Sequence, residues 1–157
     1  MLKHVVVSAA LLVVFCLSQS SAQTFEKKNY TYSEFTQNSF SEVVTVTGPA
    51  KLIFLAGIGP EDPKDGNPRH LGSLYAQCKY SWEKIKDLLG KHGATINDIV
   101  KSTVYVTDIR FREDMRKCRA EVFPAGQQMP AQTLLTVVAL ARPGMLIEVD
   151  IVAAVPK

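Results

Sequence analysis

Cysteine, histidine and net charge are all scarce in this chain, and each shortage removes a class of function. Three cysteines and three histidines occur in 157 residues. None falls at the spacing that holds zinc or another metal, so no metal and no cofactor is expected. Eighteen lysines and arginines against fifteen acidic residues leave a net charge of +3, too small an excess for the basic footprint of a nucleic-acid-binding protein. No internal repeat or low-complexity tract marks a solenoid or a linker. The apolar run over 5–17 is too short to span a bilayer comfortably.

That run has another reading. Lys3 and His4 precede it, and small and polar residues follow to Ala22, with Ser20 and Ala22 placed for cleavage before Gln23. This is the pattern of a secretory signal peptide over 1–22; a retained anchor is the alternative. Cys16 lacks the small residues before it that a lipoprotein signal would have. The expected mature protein is exported, periplasmic or secreted, and free of the membrane. It would retain about 135 residues, enough for one domain. Cys78 and Cys118 remain after cleavage in a compartment that permits disulfides. Both lie on apolar helix faces, where they either bridge or fill the core as thiols.

The segment 23–38 is polar and aromatic without a clear period and reads as an irregular arm. The domain proper is expected over 39–157. Val43–Val46 and Leu52–Leu55 read as a hairpin, with Thr47–Lys51 as its connection. A turn-rich loop covers 59–69. Leu71, Leu74, Cys78, Trp82, Ile85 and Leu89 then recur at helical spacing, and Gly90 and Gly93 bracket the helix end. Alternation over Ile99–Val106 predicts a strand with Val100, Ser102, Val104 and Val106 on its buried face. A second helix over 111–123 aligns Phe111, Met115, Cys118 and Val122. Its charges, among them Arg112, Arg116, Lys117 and Arg119, read as a solvated face, with Glu113 and Lys117 as an i,i+4 pair. Strands over 132–138 and 146–155 close the chain.

The order β-β-α-β-α-β-β implies an α+β domain with two helices on one face of a mixed sheet. The other sheet face, rich in Val, Ile and Leu, would be left open. A patch of that size normally implies association, so a homo-oligomer is expected.

Two features concentrate the chemistry. Pro130-Ala131-Gln132-Thr133 precedes the run Ile147-Glu148-Val149, where a carboxylate interrupts a β-branched strand and needs a partner or a role. With Leu52-Ile53-Phe54-Leu55-Ala56-Gly57, the loop 60–68, Gly93-Ala94 and the block from Asp98 to Asp108, these segments resemble the Rid (YjgF/RidA) family of imine and enamine deaminases. The resemblance runs from about Phe40 to Ala154. It implies a chorismate-mutase-like fold and a homotrimer, with sheets forming an inner barrel and small-molecule clefts between subunits.

In active members of that family, an arginine in the segment matching 130–133 holds the carboxylate of a 2-imino acid through paired, charge-assisted bonds. A glutamate on the last strand positions the attacking water. Carried over, the glutamate is Glu148 and the arginine position is Gln132. Losing the charge there should cost roughly 2–4 kcal/mol, or two to three decades in efficiency. Gln132→Arg should therefore raise activity on carboxylated imines. Other positions depart too: Ala56 stands for a serine, Leu134 for a cysteine, Phe40 for an aromatic hydroxyl and Arg116 for an asparagine. Together with Ala131 these are the candidate substrate-binding residues, and Arg116 is a candidate replacement for the missing charge. Structural roles compete with each: a surface arginine at 116, a paired carboxylate at 148, a backbone-satisfied amide at 132.

Three functions follow. One is hydrolysis of a C=N bond with Glu148 as base; the second is binding in the same cleft without turnover; the third is an interaction or chaperone-like trimer with an incidental cleft. Ribonuclease activity, also ascribed to the family, would lack a catalytic histidine pair here.

Overall fold

Ser73 starts the first helix. Its hydroxyl accepts a hydrogen bond from the Ala76 N–H (3.3 Å), supplying the cap that an exposed helix end needs. The computed structural model describes residues 23–157 except Asn38; the expected signal peptide at 1–22 lies outside the described residues. The helix, α1, runs Leu74–Lys91. Leu74, Cys78, Trp82, Ile85 and Leu89 are all buried on one side, as their spacing predicts. Leu71 is not part of this face: it precedes the helix, behind Gly72 at φ +77°, and is exposed. Gly93, at φ +73°, turns the chain away after the His92 cap.

The strands are β1 (Glu26–Tyr30), β2 (Val43–Thr47), β3 (Ala50–Ile58), β4 (Ile99–Val106), β5 (Ala131–Thr136) and β6 (Ile147–Pro156), with α2 at Arg112–Val122. Four strands form one sheet in the order β3-β6-β4-β5. Only β4 and β5 run parallel; the other pairs are antiparallel. The fold is therefore α+β with two helices on a mixed sheet, one strand longer at its start than the sequence suggests. β6 sits at the centre, and Ile147, Val149, Ile151 and Ala153 point into the core at every second position. α1 and α2 cover that side. Trp82 meets Phe123 edge-on at 5.2 Å between ring centroids, and a disulfide joins Cys78 to Cys118 with Cα atoms 6.3 Å apart, within reach of an ordinary bridge.

Three expectations are corrected. The arm at 23–38 is not wholly irregular, because Glu26–Tyr30 pairs antiparallel with Val43–Thr47 in a separate two-stranded sheet. Its inward groups are polar. Lys27 donates to the Asn97 and Ile99 carbonyls, and Asn29 donates to Ser41 Oγ (3.0 Å) and the Met129 carbonyl (2.7 Å). A strand docked by polar side chains leaves no apolar period to read. The hairpin expected between 43–46 and 52–55 does not form, since β2 pairs with β1 and β3 with β6. Gly48 makes the break at φ +79°, packed so tightly that a Cβ there would lie 2.2 Å from the Thr24 carbonyl oxygen. Finally, an irregularity in the β4–β6 register between Ile99 and Lys101 places Ile99 in the core, with Ser102, Val104 and Val106, and leaves Val100 half-buried.

Gln77, which the sequence reading did not single out, is fully buried. Its amide donates to the Gly144 carbonyl (2.8 Å) and accepts from the Leu146 N–H (2.8 Å), clamping α1 to the turn before β6. Gln77→Leu keeps the volume but strands both backbone groups. It should cost about 1–3 kcal/mol, visible as a lower midpoint in urea unfolding; a loss below half of that would mean the loop is held by packing alone.

Candidate functional site

β4 and β5 run side by side, with Ser102 opposite Gln132 and Val104 opposite Leu134. These four side chains face the helices, and between them, α2 and the segment that precedes β2 lies a cavity of about 270 Å³. Trp82, Met115, Phe123, Ile147, Phe40 and Met129 supply its apolar lining. Such a volume lies just below the usual range of ligand pockets, roughly 300–1,000 Å³, and suits a metabolite rather than a polymer.

Four of the predicted residues meet here: Gln132, Leu134, Phe40 and Arg116 all line the cavity, as does Cys78 of the disulfide. Three do not. Ala131 bridges to Ser41 and pairs with Lys101 at the start of β5. Ala56 is exposed on β3, where the register with β6 is interrupted. Glu148 follows Ile147 on β6. Because Ile147 faces the cavity, Glu148 projects from the opposite side of the sheet. It stands opposite Tyr105 and lies across Gly57, where an added Cβ would come within 2.1 Å of its Oε1. Within one chain the sheet separates Gln132 from Glu148.

The electrostatics of the two faces differ. On the outer face, burial raises the Glu148 carboxyl above its ordinary range, and the negative Glu61 and Asp150 nearby add to the shift. Asp150 accepts a hydrogen bond from the Tyr105 hydroxyl (2.9 Å), which pushes that hydroxyl up as well. No cation stands within salt-bridge distance of Glu148 among the described residues.

The cavity side is cationic. Arg112, Arg116 and Arg119 border it, and among the described residues no Asp or Glu does. The helix charges are thus not simply a solvated face, and the expected Glu113–Lys117 pair gives way to Glu113–Arg116. Arg116 forks onto Glu113 (Nη2–Oε1 2.7 Å, Nε–Oε2 3.0 Å) and holds that carboxylate below its usual range. Arg119 is half-buried, and its Nη1 donates to the Ser39 carbonyl (3.0 Å). Burial, and then the positive Arg116, disfavour its charge, without threatening protonation at neutral pH. The family resemblance gives Arg119 no role, although Arg112, Arg116 and Arg119 recur at helical spacing beside the stripe that contains Met115. Among the described residues, no three His, Cys, Asp or Glu side chains converge as a metal would require.

The family model described as endoribonuclease L-PSP matches residues 31–155. A RutC family protein of Pyrococcus abyssi is 34% identical over 114 residues, covering 73% of this chain and 84% of that protein. The 3-aminoacrylate deaminase RutC of Acinetobacter baylyi is 28% identical over 122 residues, covering 78% and 94%. Among solved structures, a Rid family protein of Yersinia pestis matches with a TM-score of 0.68 at 24% identity, covering 82% of this chain and 98% of that one. A YjgF family member of Mycobacterium tuberculosis matches at 0.54 and 28%, covering 83% and 100%. With an α+β sheet of the same architecture and a family match across almost all of the described residues, this chain belongs to the Rid (YjgF/RidA) family.

Proposed function

We propose that the protein hydrolyses the C=N bond of a small imine or enamine, in a cleft where the cavity of one protomer meets Glu148 of a neighbouring copy in a homotrimer. The observation that carries this reading is Glu148 itself: a carboxylate that lies across Gly57 on the outer sheet face, raised above its ordinary range by burial and neighbouring negative charge, with no cation within salt-bridge distance among the described residues. A carboxylate moved towards neutrality is a better proton acceptor, and general bases of this kind contribute roughly 10²–10⁴-fold. Because the sheet separates Glu148 from the cavity of its own chain, the two halves combine only between copies. Leu52, Phe54 and Leu135, exposed on the sheet, supply apolar surface for that association.

In the proposed reaction, Glu148 takes a proton from water as the water oxygen bonds to the imine carbon. That proton is passed to nitrogen, giving a carbinolamine; the remaining hydroxyl proton is then transferred to nitrogen as the C=O bond forms and the C–N bond breaks with its electron pair on nitrogen, so that ammonia and a carbonyl compound depart. An enamine first shifts its N–H proton to carbon and enters as the imine. The name of the Acinetobacter relative, a deaminase of 3-aminoacrylate, which is an enamine acid, supports this class of substrate. A nuclease reading finds less support: the His70 ring packs edge-on against Tyr80 of α1, 5.6 Å between centroids, while His92 caps the far end of that helix. Export after cleavage before Gln23 belongs to the same proposal, and the buried Cys78–Cys118 bridge supports an oxidising compartment.

The test is ammonia release from freshly generated imines by residues 23–157, compared with Glu148→Gln. Turnover above the spontaneous rate should fall at least about 100-fold in the variant. Unchanged turnover would remove Glu148 from the mechanism. No turnover in a folded trimer would favour the second reading, a cleft that binds without reaction.

Stability provides an independent check. Since the folded state raises the Glu148 carboxyl, its protonated form is favoured by folding. That stabilisation is complete below the ordinary carboxyl value and is lost as pH rises through the raised one. Glu148→Gln should therefore melt higher than the parent at neutral pH, with the gap closing below about pH 4. A purely structural ion pair would give the opposite sign.

A further inference from the structure

The arginines bordering the cavity differ in what holds them. Arg116 is exposed and already forked onto Glu113. Arg119 is half-buried, and its recorded partner is a neutral one, the Ser39 carbonyl. A guanidinium has five N–H donors in a fixed fork, and among the described residues Arg119 uses one of them on a side-chain contact, the bond to Ser39. No carboxylate lies within salt-bridge distance of Arg119 among the described residues. Partly burying a cation without a counter-ion is costly. The last turn of α2, where carbonyl dipoles point outwards, offsets part of that cost.

The cavity that Arg119 borders is lined largely by apolar side chains, among them Trp82, Met115, Phe123 and Phe40. A partly open apolar cavity that carries a fork of donors among aromatic side chains selects a molecule with one anionic end and a hydrocarbon body.

We infer that Arg119 is the anion anchor of this cavity, holding the carboxylate of a small ligand whose apolar or aromatic body packs against Trp82, Met115 and Phe123. The inference rests on the cavity being the ligand-binding half of the proposed cleft, and it makes the site specific for bulky carboxylates. It also reassigns the replacement charge. Arg116 is occupied by Glu113, whereas Arg119, one turn further along α2, meets no carboxylate among the described residues.

The probes are phenylpyruvate, a stable 2-oxo acid, and phenylacetone, which keeps the ring and ketone but lacks the carboxylate. Calorimetric titration should show phenylpyruvate binding to the parent protein and weakening at least about tenfold in Arg119→Met. Phenylacetone affinity should change less than about twofold, because it makes no charge-assisted bond. Arg119→Lys, which keeps the charge but not the fork, should fall between them. Arg110→Met, which removes an equal charge outside the cavity, should bind like the parent. Equal weakening of both probes would assign Arg119 to packing, and unaltered phenylpyruvate binding in Arg119→Met would likewise overturn the inference. So would a parent protein that binds neither probe. The hydrolytic reading fails separately: Arg119-dependent binding without ammonia release leaves the anchor standing and removes the reaction. Ammonia release from a carboxylated imine with an unchanged KM in Arg119→Met does the reverse.

Discussion

Replacing Cys78 and Cys118 together by alanine is expected to destabilise the protein by about 4 kcal/mol. The two residues are 40 positions apart in sequence, and a cross-link over such a span removes substantial freedom from the unfolded chain. A domain of this size is stable by only about 5–15 kcal/mol, so this single bond accounts for a large share. The effect is also local. The bridge ties α1 to α2, Cys118 is fully buried, and Cys78 forms part of the cavity wall. Urea unfolding of the parent with and without reductant should reproduce the variant, because both lose the same constraint. A loss below about 1 kcal/mol would mean that packing of Trp82 on Phe123 alone sets the helix pair.

Gln132→Arg should act differently depending on Arg119. In an Arg119→Met background, it is expected to restore about two decades of kcat/KM on a carboxylated imine, since a guanidinium on β5 would reach the same cavity. In the parent, the gain should be less than about tenfold, because the carboxylate already has its partner and another cation would join Arg112, Arg116 and Arg119. Both gains should vanish with Glu148→Ala. This non-additivity is the signature of two residues serving one contact. Equal gains in both backgrounds would mean that Arg119 does not hold the carboxylate. No gain in either would mean that the cleft has changed too far for one residue to restore it.

Much of the fold is legible in the residues because local forces agree with the tertiary ones. The α1 stripe from Leu74 to Leu89 shows a helical period in the sequence and forms a buried face in the domain. β6 reads as a strand because its branched residues alternate with Glu148 and Asp150. β1 was missed because Lys27 and Asn29 dock through hydrogen bonds, which leave no hydrophobic period. The irregularity in β4 was missed because alternation carries no sign of one displaced residue.

For the candidate site, the sequence by itself determined the types of residue present: a carboxylate in a strand, an amide at the arginine position, and a helix rich in arginine. Their arrangement was decided by the tertiary structure. The two-residue period of β6 sends Ile147 into the cavity and Glu148 to the other side of the sheet, so proximity along the family motif does not become proximity in space. The 3.6-residue period of α2 brings Arg119 to the cavity edge beside Met115, while Glu113 occupies Arg116. Charge is a property of the residue, but availability depends on what the fold places within bonding distance. At Arg119 that is a carbonyl oxygen, and at Arg116 a carboxylate.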